Sequence, residues 1–326
     1  MSRFVRPVLR LNRVSGIISP VTGSDLIVVT GGEGFIGRQV RSALLVAGKD
    51  VISLDRRSGS PFVGGLSYDC DLTEAQRLEQ IFASASRPVF AIAHLASTLR
   101  TASEQHPKKA TEVNICGTLN VLETARIFGV ARMVFASSAA IYGSKPPQDD
   151  TSEADSASPE DLYGAAKQYI EALGNAYARN YRMQFVSVRV PIVVGSGPGT
   201  STSAWRTDLL NALGERQQRE ILIPFSEEET LSIVHVEDLA QAFLILLNEP
   251  TVTHSTYNAP CEIRRLSQLK KEVESLNENV HVAFGHSPIS GFPRRLNCDR
   301  FKAEFKYVPQ LSERLRAAAQ LRRANM

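Results

Sequence analysis

The chain has 326 residues, 43% of them hydrophobic and 22% charged, with a formal net charge of +3. That length buries a large core in one or two domains, and so small a charge, with no basic stripe interleaved with aromatics, leaves no nucleic-acid footprint. No apolar run reaches bilayer-spanning length, and Cys70, Cys116, Cys261 and Cys298 form no C-x-x-C pair, so free thiols in a reducing, cytoplasmic setting are expected rather than disulfides or a metal site.

The first 24 residues carry Arg3, Arg6, Arg10 and Arg13 ahead of the first acid, Asp25. Transit peptides and basic tails share this composition, but the apolar residues are too few for a clear amphipathic face, so a disordered extension is expected over 1–24. From Asp25 onward, strand-like runs alternate with helical patterns. Strands are expected at Leu26 to Thr30, Val51 to Leu54, Leu66 to Tyr68, Val89 to His94, Arg132 to Ala136 and Gln184 to Val190. Helices are expected at Phe35 to Ala47, Glu74 to Ser84, Glu104 to Phe128 and Leu162 to Asn180. The alternation predicts an α/β fold, a doubly wound (Rossmann) parallel sheet over 25–190. Beyond Pro191 the texture changes to loops, a helix at Ala204 to Arg216 and shorter elements. A smaller C-terminal substrate-binding lobe is expected from 191–230 and 261–326, with 231–260 (a strand and helix at Leu231 to Leu247, then on to 260) returning to the main domain.

The first strand runs into Gly31, Gly34 and Gly37, spaced G-x-x-G-x-x-G with Phe35 and Ile36 inside the motif. Such a turn lets backbone N–H groups at a helix N-terminus approach a pyrophosphate, because glycine lacks the Cβ that would block it. Asp55 closes the next strand, 24 residues after Gly31, where a carboxylate can accept hydrogen bonds from the adenosine ribose hydroxyls. Arg56 and Arg57 beside it leave a 2′-phosphate contact, and hence NADP, open; NAD is favoured because Asp55 repels that phosphate.

In "SPEDLYGAAKQYIEAL", Ser158, Pro159, Glu160 and Asp161 read as a capped helix start with a first-turn proline and acids that complement the dipole. Tyr163 and Lys167 follow at i and i+4 on one face, a spacing from which the ammonium is expected to pull the phenol pKa down from about 10 toward neutrality. A tyrosine so tuned can exchange a hydroxyl proton while hydride passes to or from a nicotinamide. Ser137 and Ser138 end an apolar strand on the edge where such sheets place ligands.

The motifs "TGGEGFIG" (30–37), "LD" ending at Asp55, "CDL" with Asp71, "AHLAS" (93–97), "VNICGTLNVLETA" (113–125), "SSAAIYG" (137–143), "YGAAK" (163–167) and "RVPIVVGSGPG" (189–199) stand in one order along the chain. As a set they resemble the extended short-chain dehydrogenases/reductases of the NAD-dependent epimerase/dehydratase type. The resemblance implies that Asp71 and Leu72 flank the adenine and that Ala93 and Ala96 line the cofactor. It also implies that Lys167 holds the nicotinamide ribose, that Ser138 is the catalytic serine beside Tyr163, and that Asn114 supports the site. Pro191 joins the cofactor set.

Departures from the family pattern bear on substrate. Ala139 and Ala140 stand where dehydratases of the family carry an acidic pair, which disfavours elimination. Leu231 stands where sugar-nucleotide members carry a diphosphate-gripping arginine, and "SPISGFPRRLNCD" does not reproduce their later arginine-containing motif, although Arg294 and Arg295 could substitute there. Three functions stay open. The first is an NAD-dependent dehydrogenase or reductase acting at a secondary hydroxyl of a sugar, sugar acid or similar small polar substrate, and the second a nucleotide-sugar epimerase. The third is a non-catalytic NAD(P)-sensing or scaffold protein. Trp205, Arg206, Arg264, Arg294 and Arg295 are candidate substrate contacts. In the family it resembles, helices such as those at 104–128 and 162–180 pair across a two-fold axis into a four-helix bundle, so the resemblance implies a homodimer.

Overall fold

A computed structural model describes residues 25–56, 64–197 and 203–324; the expected basic extension and Arg57 lie outside the described residues. The first half runs β1 (Leu26–Thr30), α1 (Phe35–Val46), β2 (Asp50–Asp55), β3 (Gly65–Asp69), α2 (Ala75–Ser84) and β4 (Val89–His94). It continues with α3 (Arg100–Gln105), α4 (Pro107–Thr111), a π-helical turn (Glu112–Gly117), α5 (Thr118–Phe128) and β5 (Arg132–Ser138). A 3-10 turn (Ala139–Tyr142) and the short β6 (Asp150–Thr151) lead to α6 (Leu162–Asn180), β7 (Gln184–Val190) and β8 (Ile192–Val194). Then come α7 (Trp205–Leu213), β9 (Arg219–Ile223), β10 (Thr230–His235), α8 (Val236–Asn248), β11 (Thr256–Asn258) and β12 (Glu262–Arg265). The chain closes with α9 (Leu266–Leu276), β13 (Val280–Phe284), β14 (Arg295–Leu296), α10 (Asp299–Phe305) and α11 (Leu311–Ala324).

Seven strands form the central sheet in the order β11-β7-β5-β4-β1-β2-β3, every neighbouring pair parallel. Side chains alternate across it as strand geometry requires. On β1, Ile27 and Val29 enter a core shared with α1 and α8, while Leu26 and Val28 enter the opposite core, shared with α2, α5 and α6. From β1 the chain moves outward to β2 and β3, then crosses back to β4 on the other side of β1. The carboxyl ends of β1 and β4 therefore flank the point where strand order reverses, the place at which open α/β sheets bind their ligands.

Two expected helices are shorter than the sequence suggests. The one expected from Glu104 is interrupted at His106, whose extended backbone (φ −135°, ψ 66°) precedes Pro107 at the first position of α4; proline restricts the residue before it away from helix. The helix expected over 204–216 is confined to Trp205–Leu213.

Within 231–260, α8 packs on α1 and β11 extends the central sheet, but β10 joins a separate three-stranded sheet between β8 and β12. A third core lies there, in which Leu231 is fully buried with Trp205, Leu209 and Ile233. The position at which the resemblance leads one to expect an arginine thus points into packed hydrocarbon. Leu231→Arg places an unpaired charge in that core, so chemical denaturation is expected to register a loss of at least about 3 kcal/mol.

Candidate active site

At the end of β1 the chain turns through Gly31, whose φ of +67° suits glycine. A Cβ there would lie 2.7 Å from the Ala96 nitrogen, and one on Gly37 would lie 2.0 Å from the Gly31 carbonyl oxygen. The turn is closed by Gly31 N–H donating to the Leu54 carbonyl (2.7 Å) and Gly34 N–H to the Gly31 carbonyl (3.0 Å). Gly34 is the N-cap of α1 and supplies no side-chain cap, and no acid stands in the first turn. The helix thus presents its N-terminal dipole and uncapped N–H groups at the sheet's carboxyl edge, a setting that fits a pyrophosphate.

Around this turn, Asp55 Oδ2 accepts the Glu33 N–H at 3.1 Å, and Arg56 is exposed beyond it. Asp71 accepts the Thr73 N–H (2.9 Å) and hydroxyl (2.7 Å), and Asn120 donates to the Leu72 carbonyl (2.8 Å), fixing that loop beside α5. Burial works to raise the Asp71 pKa, but the Thr73 hydrogen bonds prevail and hold it below the usual value. Phe35 and Ile36 open α1 partly buried, and Pro191 lies half-buried between β7 and β8. Ala93, expected to line the cofactor, is sealed in the core at 0% exposure because its β4 side chain faces α8; Ala96, partly buried, is the alanine left at the crevice.

His94 ends β4, fully buried. Its Nδ1 meets the Thr30 hydroxyl at 2.6 Å and its Nε2 meets the Thr118 hydroxyl at 2.9 Å. Thr118 gives its proton to the Asn114 carbonyl (2.7 Å), so its oxygen accepts from Nε2–H, and Nδ1 accepts from Thr30. One neutral tautomer satisfies the chain. Asn114 in turn clamps the loop after β4, accepting from Thr98 N–H (2.7 Å) and Ser97 Oγ (3.1 Å) and donating to the Thr98 carbonyl (3.0 Å).

Helix α6 begins at Leu162, as the sequence suggests, but its N-terminal capping differs from the expected one. Its cap is Asp161, which accepts the Gly164 N–H at 2.7 Å, while Glu160 binds Ser144; Ser158 and Pro159 stay outside the helix. Arg100 pairs with Asp161 at 2.6 Å and Glu104 accepts the Leu162 N–H at 3.0 Å, so α3 holds this end of α6. Lys167 is buried, and its Nζ donates to the Ala136 carbonyl at 2.7 Å and lies 5.3 Å from the centre of the Tyr163 ring. The Ser138 side chain stands close enough to the Tyr163 phenol to favour its ionised form. Its neighbour Ser137 is turned away, donating to Glu171 (2.6 Å), which Arg189 grips with two donors at 3.1 and 2.7 Å.

Electrostatics here differ from the expected tuning. Burial pushes the Tyr163 phenol up to about 12, only partly opposed by Ser138 and by the charge of Arg206, and burial pushes Lys167 down to about 7. Desolvation outweighs the attraction that i, i+4 spacing promises on an exposed helix. The phenol is therefore protonated at neutral pH and set to donate.

The small-lobe candidates are mostly occupied. Arg264 pairs with Glu262 (3.0 Å) and Glu272, Arg294 with Glu229 (2.7 Å), and Arg295 with Asp150 (2.6 Å). Trp205 packs edge-on against Phe225 within the third core. Arg206 has no acid partner among the described residues, and its Nε is buried without a hydrogen bond. No cluster of histidine, cysteine or acidic side chains among the described residues could hold a metal ion, and no helix there is long and apolar enough to cross a membrane.

A doubly wound parallel sheet with a glycine turn at its reversal point, and a serine, a tyrosine and a lysine on the same edge, is a dinucleotide-binding enzyme architecture. The chain belongs to the NAD-dependent epimerase/dehydratase family, whose model matches residues 27–259. It is 30% identical over 240 residues to a UDP-glucose 4-epimerase of Lacticaseibacillus casei, covering 68% of this chain and 71% of that one. It is 25% identical over 293 residues to a D-erythronate dehydrogenase of Haemophilus influenzae, covering 83% and 91%. The UDP-glucose 4-epimerase of Thermus thermophilus, solved as a complex with NAD, superposes with a TM-score of 0.76 at 25% identity, over 92% of this chain and 100% of that one.

The folded state holds His94 neutral down to about 3, because burial, aided by the Lys167 charge, opposes its protonation, whereas the unfolded ring takes up a proton near 6.5. Between these values the unfolded chain binds more protons, so this group makes wild-type stability fall as pH falls. The stability gap between wild type and His94→Asn should accordingly narrow from pH 6.5 toward 3 in urea titrations; a constant gap would contradict the assignment.

Proposed function

We propose that the chain is an NAD-dependent oxidoreductase that transfers hydride at a secondary carbinol or keto carbon of a small polar substrate such as a sugar acid. The observation that carries this reading is the grouping of Ser138, Tyr163 and Lys167 beside the uncapped N-terminus of α1. Gly31, Gly34, Phe35, Ile36 and Gly37 would hold the pyrophosphate, and Asp55 the adenosine ribose, with Arg56 beside it. Asp71, Leu72 and Ala96 would border the adenine half of the crevice. Lys167 would hold the nicotinamide ribose near Pro191. When bound, NAD supplies the hydride acceptor or donor. Asp55 favours ribose hydroxyls over a 2′-phosphate, which supports NAD above NADP.

Ser138 orients the substrate oxygen, and Tyr163 gives it a proton during reduction or takes one during oxidation. Oxidation needs the phenolate, which the charge of Arg206 favours against the opposing effect of burial. Pairing of Arg264, Arg294 and Arg295 with acids, and burial of Leu231, weigh against a diphosphate clamp. A second reading, epimerisation of a nucleotide sugar, draws support from the similarity to UDP-glucose 4-epimerases.

NADH formation or consumption should be followed on a panel of sugars, sugar acids and nucleotide sugars, for wild type and for Tyr163→Phe. A net NADH change that falls by roughly 10²–10⁴ in Tyr163→Phe, with NAD binding retained, is the expected result. Isomerised product without net NADH change would favour the epimerase. NAD binding with no turnover in either protein would leave a sensing or scaffold role.

Homodimerisation is proposed on separate grounds. Leu119 and Ile127 on α5, and Leu162 and Tyr169 on α6, are exposed apolar side chains on two adjacent helices. Light scattering should give twice the chain mass; a monomer at micromolar concentration would remove the dimer.

A further inference from the structure

Arg206 is the second residue of α7, and its backbone is fixed on both sides. Its N–H donates to the Ser203 carbonyl (3.0 Å), and its carbonyl accepts the Gly195 N–H (3.1 Å) just after β8. The guanidinium carbon stands 5.9 Å from the centre of the Trp205 ring, and Nε is enclosed with no hydrogen-bond partner among the described residues. Every other arginine considered for the substrate is matched to a carboxylate within the lobe or across to β6. Arg206 is matched to none among the described residues, yet it lies close enough to Tyr163 for its charge to act on the phenol.

A buried guanidinium N–H without an acceptor is costly, and a native fold keeps one where something else supplies the acceptor. Nε together with a terminal nitrogen forms a planar fork that matches a carboxylate with two parallel hydrogen bonds. One unopposed positive charge balances one negative charge, whereas a diphosphate calls for more than one cation, and the arginines that could have joined it are neutralised.

We propose that Arg206 binds the carboxylate of the substrate, so that the enzyme acts on hydroxy acids whose carboxylate lies near the carbinol presented to Tyr163. This rests on the hydride-transfer reading above and narrows its substrate class. Arg206 is a specificity-determining residue, and Tyr163 remains the proton-transfer group.

The test uses the full chain with NAD. Short 2- and 3-hydroxy acids are compared with their amides and with nucleotide sugars, in wild type, Arg206→Met and Arg206→Lys. Tartronate binding to each protein is measured by calorimetry in parallel, with NAD affinity and thermal melting confirming that each variant is folded. Wild type is expected to prefer the acid over its amide by about 100-fold in kcat/KM. Arg206→Met should collapse that ratio toward one, mainly through KM, and lose tartronate, while Arg206→Lys, which keeps the charge but not the fork, should recover part of both.

Tartronate bound equally by wild type and Arg206→Met, or by neither, overturns the proposal even if Tyr163→Phe behaves as expected. So does a wild-type preference for nucleotide sugars. Arg206-dependent tartronate binding without NADH change on any compound would instead sink the hydride-transfer reading and leave the carboxylate site standing.

Discussion

Lys167 carries its ammonium into the interior and sets it on the Ala136 carbonyl at the end of β5. The position of every other group at the site follows from that bond. It pins α6 to the central sheet at one height, so the residue one helical turn earlier, Tyr163, comes to rest beside the last residue of β5, Ser138. One turn later, Glu171 receives Ser137 and Arg189, tying the same helix to β5 and β7. A buried charge is tolerated only when its surroundings satisfy it, and here a helix, two strands and a neutral histidine are arranged around one amine.

The glycine turn is constrained as tightly, by sterics instead of charge. Gly31 and Gly37 leave no room for a Cβ against the backbones of Ala96 and of Gly31 itself, so β1, α1 and the loop after β4 meet at contact distance. Thr30 and His94 then hydrogen-bond across the two strand ends that flank the reversal point, and Thr118 passes the connection to Asn114 and the loop it clamps. The glycine turn, the two strand ends and the loop after β4 are thereby joined by one run of hydrogen bonds. Fixing donors and acceptors before a ligand arrives removes the cost of ordering them afterwards.

Much of this was legible in the sequence because it is local. Strand runs such as Leu26–Thr30 and the helix Leu162–Asn180 follow from apolar periodicity and flanking turn residues, and the glycine spacing fixes the turn that follows β1. What could not be read depends on residues far apart in the chain. The cap of α6 moved to Asp161 because Arg100, 61 residues away, holds that carboxylate and Ser144 claims Glu160. The tuning of Tyr163 ran opposite to the helical spacing because burial, set by the whole fold, outweighs one neighbouring charge. Leu231 read as a lost arginine, yet the pairing of β10 with β8 and β12 turns it into a core.

The arginines of the small lobe are mostly taken up in pairs that hold the lobe together. Arg294 on Glu229 braces the approach to β10, Arg295 on Asp150 joins β14 to β6, and Arg264 on Glu262 and Glu272 fastens β12 to α9. Each pair is a cross-link that a phosphate would have to compete with, since a guanidinium fork filled by a carboxylate has little left to offer a second anion. Cations used to hold the lobe together are withdrawn from ligand binding, and the binding potential of the crevice is left to whichever arginine lacks an acid. Selectivity in such a site is therefore governed by the placement of glutamates and aspartates as much as by the arginines they neutralise, and a single acid-to-amide change could free a second cation and admit a larger anion.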